Sequence, residues 1–175
     1  MKKALIIVDM INDFVTGKLG SLRAQKIVPN IASLIKKARK QGIPIIFLRD
    51  AHSPDDKEMA IWGEHAMKGT QGSEIIPQLK PEKNDMVIEK KWYSGFVDTE
   101  LPAVLKKLGA DTLIFTGVST DICVQNNVAD AYFSGYRTIV PRDCTASIDE
   151  ESYEQSLKYM KNIYGAEITT SDKVL

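Results

Sequence analysis

The sequence predicts an α/β fold of three layers, αβα, around a six-stranded, mostly parallel, doubly wound sheet, and three observations predict it. Short apolar runs recur at 4–8, 43–48, 86–88, 112–116, 137–140 and 167–169, too brief for helices and mostly continuous, as strands buried on both faces are. Segments of helical period lie between them. Glycine closes several of those helices just before the next strand, at Gly42, Gly109, Gly135 and Gly165. Each strand and helix then forms one right-handed crossover unit.

In chain order, Met1-Lys2-Lys3 leads directly into the first strand, without the apolar core and small-residue cleavage site of a signal peptide. Ile27, Ile31, Leu34, Ile35 and Ala38 give the first long helix its apolar stripe, and the second strand follows Gly42. Residues 50–81 break the pattern. They show no clear period and contain Pro54, Gly63, Gly69, Gly72 and Pro77, so they read as a long functional excursion over the sheet edge. After the third strand, stripes at Leu101, Val104, Leu105 and Leu108, then Val124, Val128, Ala131 and Tyr132, then Tyr153, Leu157, Met160 and Ile163 mark three more helices. No repeat or linker divides residues 1–175, which are expected to form one domain.

Composition narrows the function. Lys+Arg 23 balance Asp+Glu 23 for a net charge of +0, which leaves no broad positive field for nucleic acid or a membrane surface. No apolar stretch approaches the roughly 20 residues that span a bilayer. A cytoplasmic protein with a small-molecule partner is expected. Two distant cysteines form no disulfide framework, so each is read as a reduced thiol. The turn after strand one lacks a Gly-x-Gly-x-x-Gly cradle, which disfavours a nucleotide-binding dehydrogenase.

In an open α/β sheet, ligands bind beyond the carboxyl ends of the strands, and there this sequence is unusually polar. Strand one ends at Asp9, strand two at Asp50 with His52 behind it, strand three at Glu89-Lys90-Lys91, strand four at Gly117-Val118-Ser119-Thr120-Asp121 with Cys123, and strand five at Arg142-Asp143-Cys144. Taken singly, Asp9 reads as a helix cap or a general base, Lys90 and Lys91 as surface charge, and Cys123 as a small buried hydrophobe or a reactive thiol. Cys123 falls in the first turn of a helix expected to begin near Asp121, where free N–H groups favour a thiolate and can hold an oxyanion. Together the three side chains suit nucleophilic catalysis. A carboxylate takes the thiol proton and returns it to a leaving amine, and an ammonium holds both anions.

The only histidines, His52 and His65, both lie in the excursion, with Asp50 close by. Two imidazoles and a carboxylate suit zinc or another borderline divalent ion and leave a coordination position open, with Glu58 and Glu64 as further oxygen ligands. Phe14, Trp62, Tyr93 and Phe96 fall in rim loops, where they wall a pocket or cover the sheet edge. Cys144 reads as structural.

With these residues assembled, the chain resembles the isochorismatase-like cysteine hydrolases, the group that contains nicotinamidases, N-carbamoylsarcosine amidases and isochorismatases. The resemblance rests on Asp9-Met10-Ile11-Asn12-Asp13-Phe14, on Lys90-Lys91-Trp92-Tyr93-Ser94-Gly95-Phe96 and above all on Gly117-Val118-Ser119-Thr120-Asp121-Ile122-Cys123-Val124. It implies the six-stranded fold and an Asp–Lys–Cys triad at Asp9, Lys90 and Cys123, with Lys91 the competing lysine. It also implies a cis peptide between Val118 and Ser119 that aims the N–H of Ser119, with that of Cys123, at an oxyanion. Similarity to the nicotinamidases in particular implies a metal site at Asp50, His52 and His65, where the ion holds a pyridine nitrogen and the ring packs on Phe14 and Trp62. Two departures stand out: Ile11 occupies a position usually held by glutamine, and the charged run Asp55-Asp56-Lys57-Glu58 opens the possibility of another amide. The implied activity is ammonia release from a small non-peptide carboxamide through a thioester. Nicotinamide leads as substrate, an N-carbamoyl compound follows, and a catalytically silent binding protein is the rival of another class. Members of the group self-associate, so a homo-oligomer is expected.

Overall fold

The computed structural model describes residues 1–175. Strand β1 (Lys3–Val8) is central, flanked in parallel by β2 (Ile45–Asp50) and β4 (Thr112–Val118); β3 (Met86–Lys90) lies outside β2, and β5 (Arg137–Pro141) and β7 (Glu167–Thr169) lie outside β4. A two-residue strand, β6 (Thr145–Ala146), adds to the far end of β4 and makes seven strands where six were expected. Every pairing between named strands is parallel.

The continuous apolar runs are continuous because both faces of the sheet are covered. On one face Leu5, Ile7, Ile45, Phe47 and Ile114 pack against Ile27, Ile31, Leu34 and Ile35 of α2 (Leu22–Lys40). On the other, Ala4, Ile6, Val8, Ile46, Leu48 and Phe115 pack against α4 (Leu101–Leu108), α5 (Gln125–Phe133) and α6 (Glu150–Tyr164). Alternate residues of β1 thus serve opposite cores, the period-two geometry of a strand.

Caps and stops follow local chemistry. Ser21 accepts the N–H of Ala24 at the start of α2, and Asp149 accepts that of Ser152 at the start of α6. Gly109 and Gly165 end α4 and α6 in the left-handed region. Strand β2 begins at Ile45 rather than Ile43, because Pro44 has no N–H to give a ladder. The excursion over 50–81 holds only a helical turn, α3 (Met59–Trp62), and two 3-10 turns, Gln71–Ser73 and Pro77–Leu79. Two further four-residue helices, α1 (Asn12–Val15) and α7 (Ser171–Val174), follow β1 and β7. No helix is long and apolar enough to cross a membrane.

The chain runs outward from β1 to β3 and then returns to the other side of β1 as β4. The crevice at such a reversal is where open α/β sheets bind ligands. Here it lies between Asp9, just past β1, and Ser119 and Cys123, just past β4.

Candidate active site and metal centre

Gly117 lets the rim close. Its φ is 103°, and a Cβ there would stand 1.9 Å from the Val8 carbonyl oxygen, so only glycine lets β4 run this close to β1 as it turns. The Val118–Ser119 peptide is cis, and Thr120–Val124 forms a wide π-helical turn that runs into α5. The helix therefore begins near Thr120 with a π turn, and Cys123 sits within that turn, 5% exposed. Pocket-facing Ser119 is fixed by its hydroxyl, which donates to Asp121 Oδ1 at 2.6 Å; the Ser147 hydroxyl donates to the same oxygen at 2.6 Å.

Lys90 Nζ is 2.7 Å from Asp9 Oδ2, 2.5 Å from Asp50 Oδ1 and 3.8 Å from Cys123 Sγ, and all four side chains are buried. Lys91 points away into solvent with its ammonium 5.7 Å from the Trp92 ring, so of the two lysines it is Lys90 that lies beside Asp9 and Cys123. Asp9 takes a positive φ of 52°, and its Oδ1 accepts the N–H of Asp50 at 2.9 Å, which ties the ends of β1 and β2 together.

Burial and the charge of Asp50 push the Asp9 carboxyl up to about 6, against the pull of Lys90. Burial acts the same way on Asp50, but there Lys90 and His52 win, and the group titrates below its ordinary range. Lys90 stays charged: burial works against the ammonium, and Asp50 and Asp9 outweigh it. Cys123 departs from the sequence expectation. Burial first, then the charges of Asp9 and Asp50, lift its thiol well above the ordinary range despite Lys90, so the resting group is a thiol beside a carboxylate rather than a thiolate.

The excursion brings Asp50, His52, Glu58 and His65 together, all buried, with one ligand atom from each lying within 4.8 Å of the others. The ring nitrogens are oriented. His65 Nδ1 donates to the Gly63 carbonyl at 2.7 Å and His52 Nδ1 lies 3.1 Å from Asp56, so in the neutral form of each ring Nε2 is the nitrogen left to offer a lone pair to the cluster. The His52 and His65 segments are joined as well, because His52 N–H donates to Ala66 O and Lys68 N–H to His52 O, each at 2.9 Å. His52 Nε2 and Glu58 Oε1 are buried with no hydrogen-bond partner, and burial together with the charge of Asp50 raises Glu58 to about 7. Two oriented imidazoles, two carboxylates and orphaned polar atoms form the donor set that a borderline divalent cation fits.

Glu58 joins this cluster and Glu64 does not; Glu64 is exposed, with its carbonyl accepting from Lys18. Of the charged run Asp55-Asp56-Lys57-Glu58, only Glu58 lines the pocket, beside Asp50. Asp56 orients His52, and Asp55 and Lys57 face solvent.

Between the two clusters lies a pocket of about 90 Å³, small beside the roughly 300–1,000 Å³ of drug-sized sites. Phe14, Trp62 and Tyr93 line it, and the Trp62 indole N–H donates to the Tyr93 hydroxyl at 3.0 Å. Phe96 does not; it packs against the core and lies 6.2 Å from the Tyr136 ring. Cys144 is fully buried in the core beneath α2, its thiol pushed up to about 12 chiefly by burial. Leu19 and Ile148, which belong to no motif, add to the apolar wall, as does Ile122, which stands inside the Gly117–Val124 run without a role of its own there. None of the sixteen lining residues is Lys or Arg.

Residues 3–173 match the isochorismatase domain family. The chain belongs to that family of hydrolases. Its fold superposes on the N-carbamoylsarcosine amidase of Thermoplasma acidophilum with a TM-score of 0.94 at 40% identity, covering 99% of each chain. The pyrazinamidase of Pyrococcus horikoshii, solved in complex with zinc, gives 0.89 at 30% identity over 97% of this chain and 99% of that one. Nicotinamidase 3 of Arabidopsis thaliana is 34% identical over 88% of this chain and 78% of its own. All three names denote enzymes that cleave carbon–nitrogen bonds outside peptides.

Proposed function

We propose that the chain hydrolyses a small, electrically neutral carboxamide of the nicotinamide type, releasing ammonia by way of a thioester on Cys123. One observation carries this reading: the buried Asp9–Lys90–Cys123 cluster opens on a small apolar pocket whose lining offers no free cation. Apart from an ion held by Asp50, His52, Glu58 and His65, a carboxylate-bearing substrate would find no arginine or lysine in the lining to replace its hydration. A neutral ring amide meets no such cost.

In the proposed reaction the Cys123 thiol gives its proton to Asp9, and sulfur attacks the amide carbon. The N–H groups of Ser119 and Cys123 are assigned to the developing oxyanion. The carbon–nitrogen bond breaks as Asp9 returns the proton to the departing ammonia, and water then cleaves the thioester. Lys90 stays protonated throughout and stabilises the anionic forms of Asp9 and Cys123. Asp50, His52, Glu58 and His65 would hold a divalent ion, zinc by their donor types, and that ion supplies a Lewis-acid anchor for a donor atom of the substrate. Phe14, Trp62 and Tyr93 would hold the ring.

Hydrolysis of an N-carbamoyl amino acid is the second reading, favoured by the 40% identity to the Thermoplasma acidophilum enzyme. Ammonia release from nicotinamide and from N-carbamoylsarcosine, each before and after chelation, separates the two. Nicotinamide turnover that falls on chelation is expected, and turnover of N-carbamoylsarcosine alone sinks the neutral-amide reading. Cys123→Ala is expected to abolish ammonia release with the fold intact. Release that survives removes the cysteine from the chemistry, and a wild-type protein that forms no thioester by mass spectrometry is a silent binder.

A further inference from the structure

Asn127 lies one helical turn beyond Cys123 on α5 and is completely buried. Its side chain makes three hydrogen bonds. Nδ2 donates to the Cys123 carbonyl at 2.8 Å and to the Tyr93 carbonyl at 3.1 Å, and Oδ1 accepts the N–H of Gly95 at 2.9 Å. One amide thus joins two pieces of chain that meet nowhere in sequence: the turn that presents the sulfur, and the loop that follows Lys90, the last residue of β3, and carries the pocket wall Tyr93.

We infer that Asn127 is a positioning residue, setting the gap between the Cys123 sulfur and the Tyr93 wall across which a substrate amide must fit. Hydrophobic packing cannot set that gap as sharply, since the loop from Lys91 to Glu100 contains no regular secondary structure to hold it. An amide can, because it offers a donor and an acceptor at fixed separation on a stiff group. All three backbone partners gain a neighbour inside a region where an unmade hydrogen bond is costly. The inference rests on the proposed thioester chemistry for its meaning but not for its test.

The test compares wild type with Asn127→Ser and Asn127→Ala. Serine at this position can still bond the carbonyl four residues back, that of Cys123, yet is too short to reach Tyr93 and Gly95, so it cuts the cross-link and spares the helix. Labelling of each cysteine by iodoacetamide is followed by mass spectrometry, with fully buried Cys144 as the internal standard for global opening. The expected result for Asn127→Ser is Cys123 labelled about tenfold faster relative to Cys144, with kcat/KM for a neutral amide down by about tenfold or more, as a misplacement of roughly 1 Å allows. An unchanged labelling ratio overturns the inference. So does a parallel rise in both cysteines, which marks plain loss of stability. If the wild type hydrolyses no neutral amide, the proposed function fails while the labelling ratio still decides the role of Asn127.

Discussion

Lys90 Nζ lies 2.7 Å from Asp9 Oδ2 with both side chains sealed from solvent, and the same ammonium also meets Asp50. Lys90→Met would leave two buried carboxylates without a cation. Deletion of one partner of a buried pair typically costs about 3–5 kcal/mol, and a loss of that size is expected in urea denaturation. Asp9, relieved of the lysine's pull, would climb above its present value of about 6 and hold its proton over more of the neutral range, so it could not accept one from the thiol. Ammonia release should vanish. Lys91→Met, at an exposed position, should change neither quantity, and a Lys90 variant that still turns over would refute the role given to that ammonium.

The buried thiol has its own signature. Because burial and two carboxylates raise Cys123 above its ordinary range, the thiolate share grows about tenfold for each pH unit well beyond the ~8.5 of a free cysteine. Iodoacetamide should therefore label wild-type Cys123 slowly at neutral pH, and the rate should keep rising past pH ~9. A plateau below about pH 8 would mean that the helix start and Lys90 hold a resting thiolate after all.

Most strands and one-half of the site were legible in the sequence for a single physical reason: doubly covered strands are apolar throughout, so a polar residue ending one is conspicuous. Asp9 after Ile6-Ile7-Val8 is visible this way, and so is the Arg49-Asp50 pair that closes Ile45-Ile46-Phe47-Leu48. The choice between Lys90 and Lys91 was also within reach, since Lys90 shares the period-two face of buried Ile88. Strand β6 was not, because two residues carry no period. Nor was the split between Glu58 and Glu64: in a segment without regular structure, spacing says nothing about which carboxylate turns inward. Asn127 was hidden among helical positions, its importance arising only from the loop that folds onto it.

The narrow pass of β4 against β1 predicts a sharp effect at Gly117. Alanine there would need both a φ near 103° and room for a Cβ 1.9 Å from the Val8 carbonyl. Neither is available, and the clash is with backbone, which cannot swing aside. Gly117→Ala should destabilise the fold by about 3 kcal/mol, with ammonia release impaired even where the protein remains folded, since Asp9 follows directly on Val8. Gly42→Ala, which has φ +67° but open space around its Cβ, isolates the backbone strain from the clash and should cost markedly less. Equal losses at the two sites would show that the approach of β4 to β1 is unimportant.

The metal cluster makes a prediction that separates ligands from bystanders. Protein stripped by a chelator should bind one equivalent of zinc in isothermal titration. Glu58 faces both imidazoles, its Oε2 3.7 Å from His52 Nε2 and 3.9 Å from His65 Nε2, so Glu58→Gln removes a negative charge from the centre and should weaken zinc at least tenfold. Asp56 touches no other member of the cluster but holds His52 Nδ1, and loss of such an orienting partner commonly costs about 10–100-fold in metal affinity, the range expected for Asp56→Asn. Glu64→Gln, on the surface of the same segment, should leave binding unchanged. If Glu64 mattered and Glu58 did not, the excursion would have to close around the ion in another arrangement. If no variant mattered, the buried imidazoles would be a packing feature, and the pocket would keep only its sulfur chemistry.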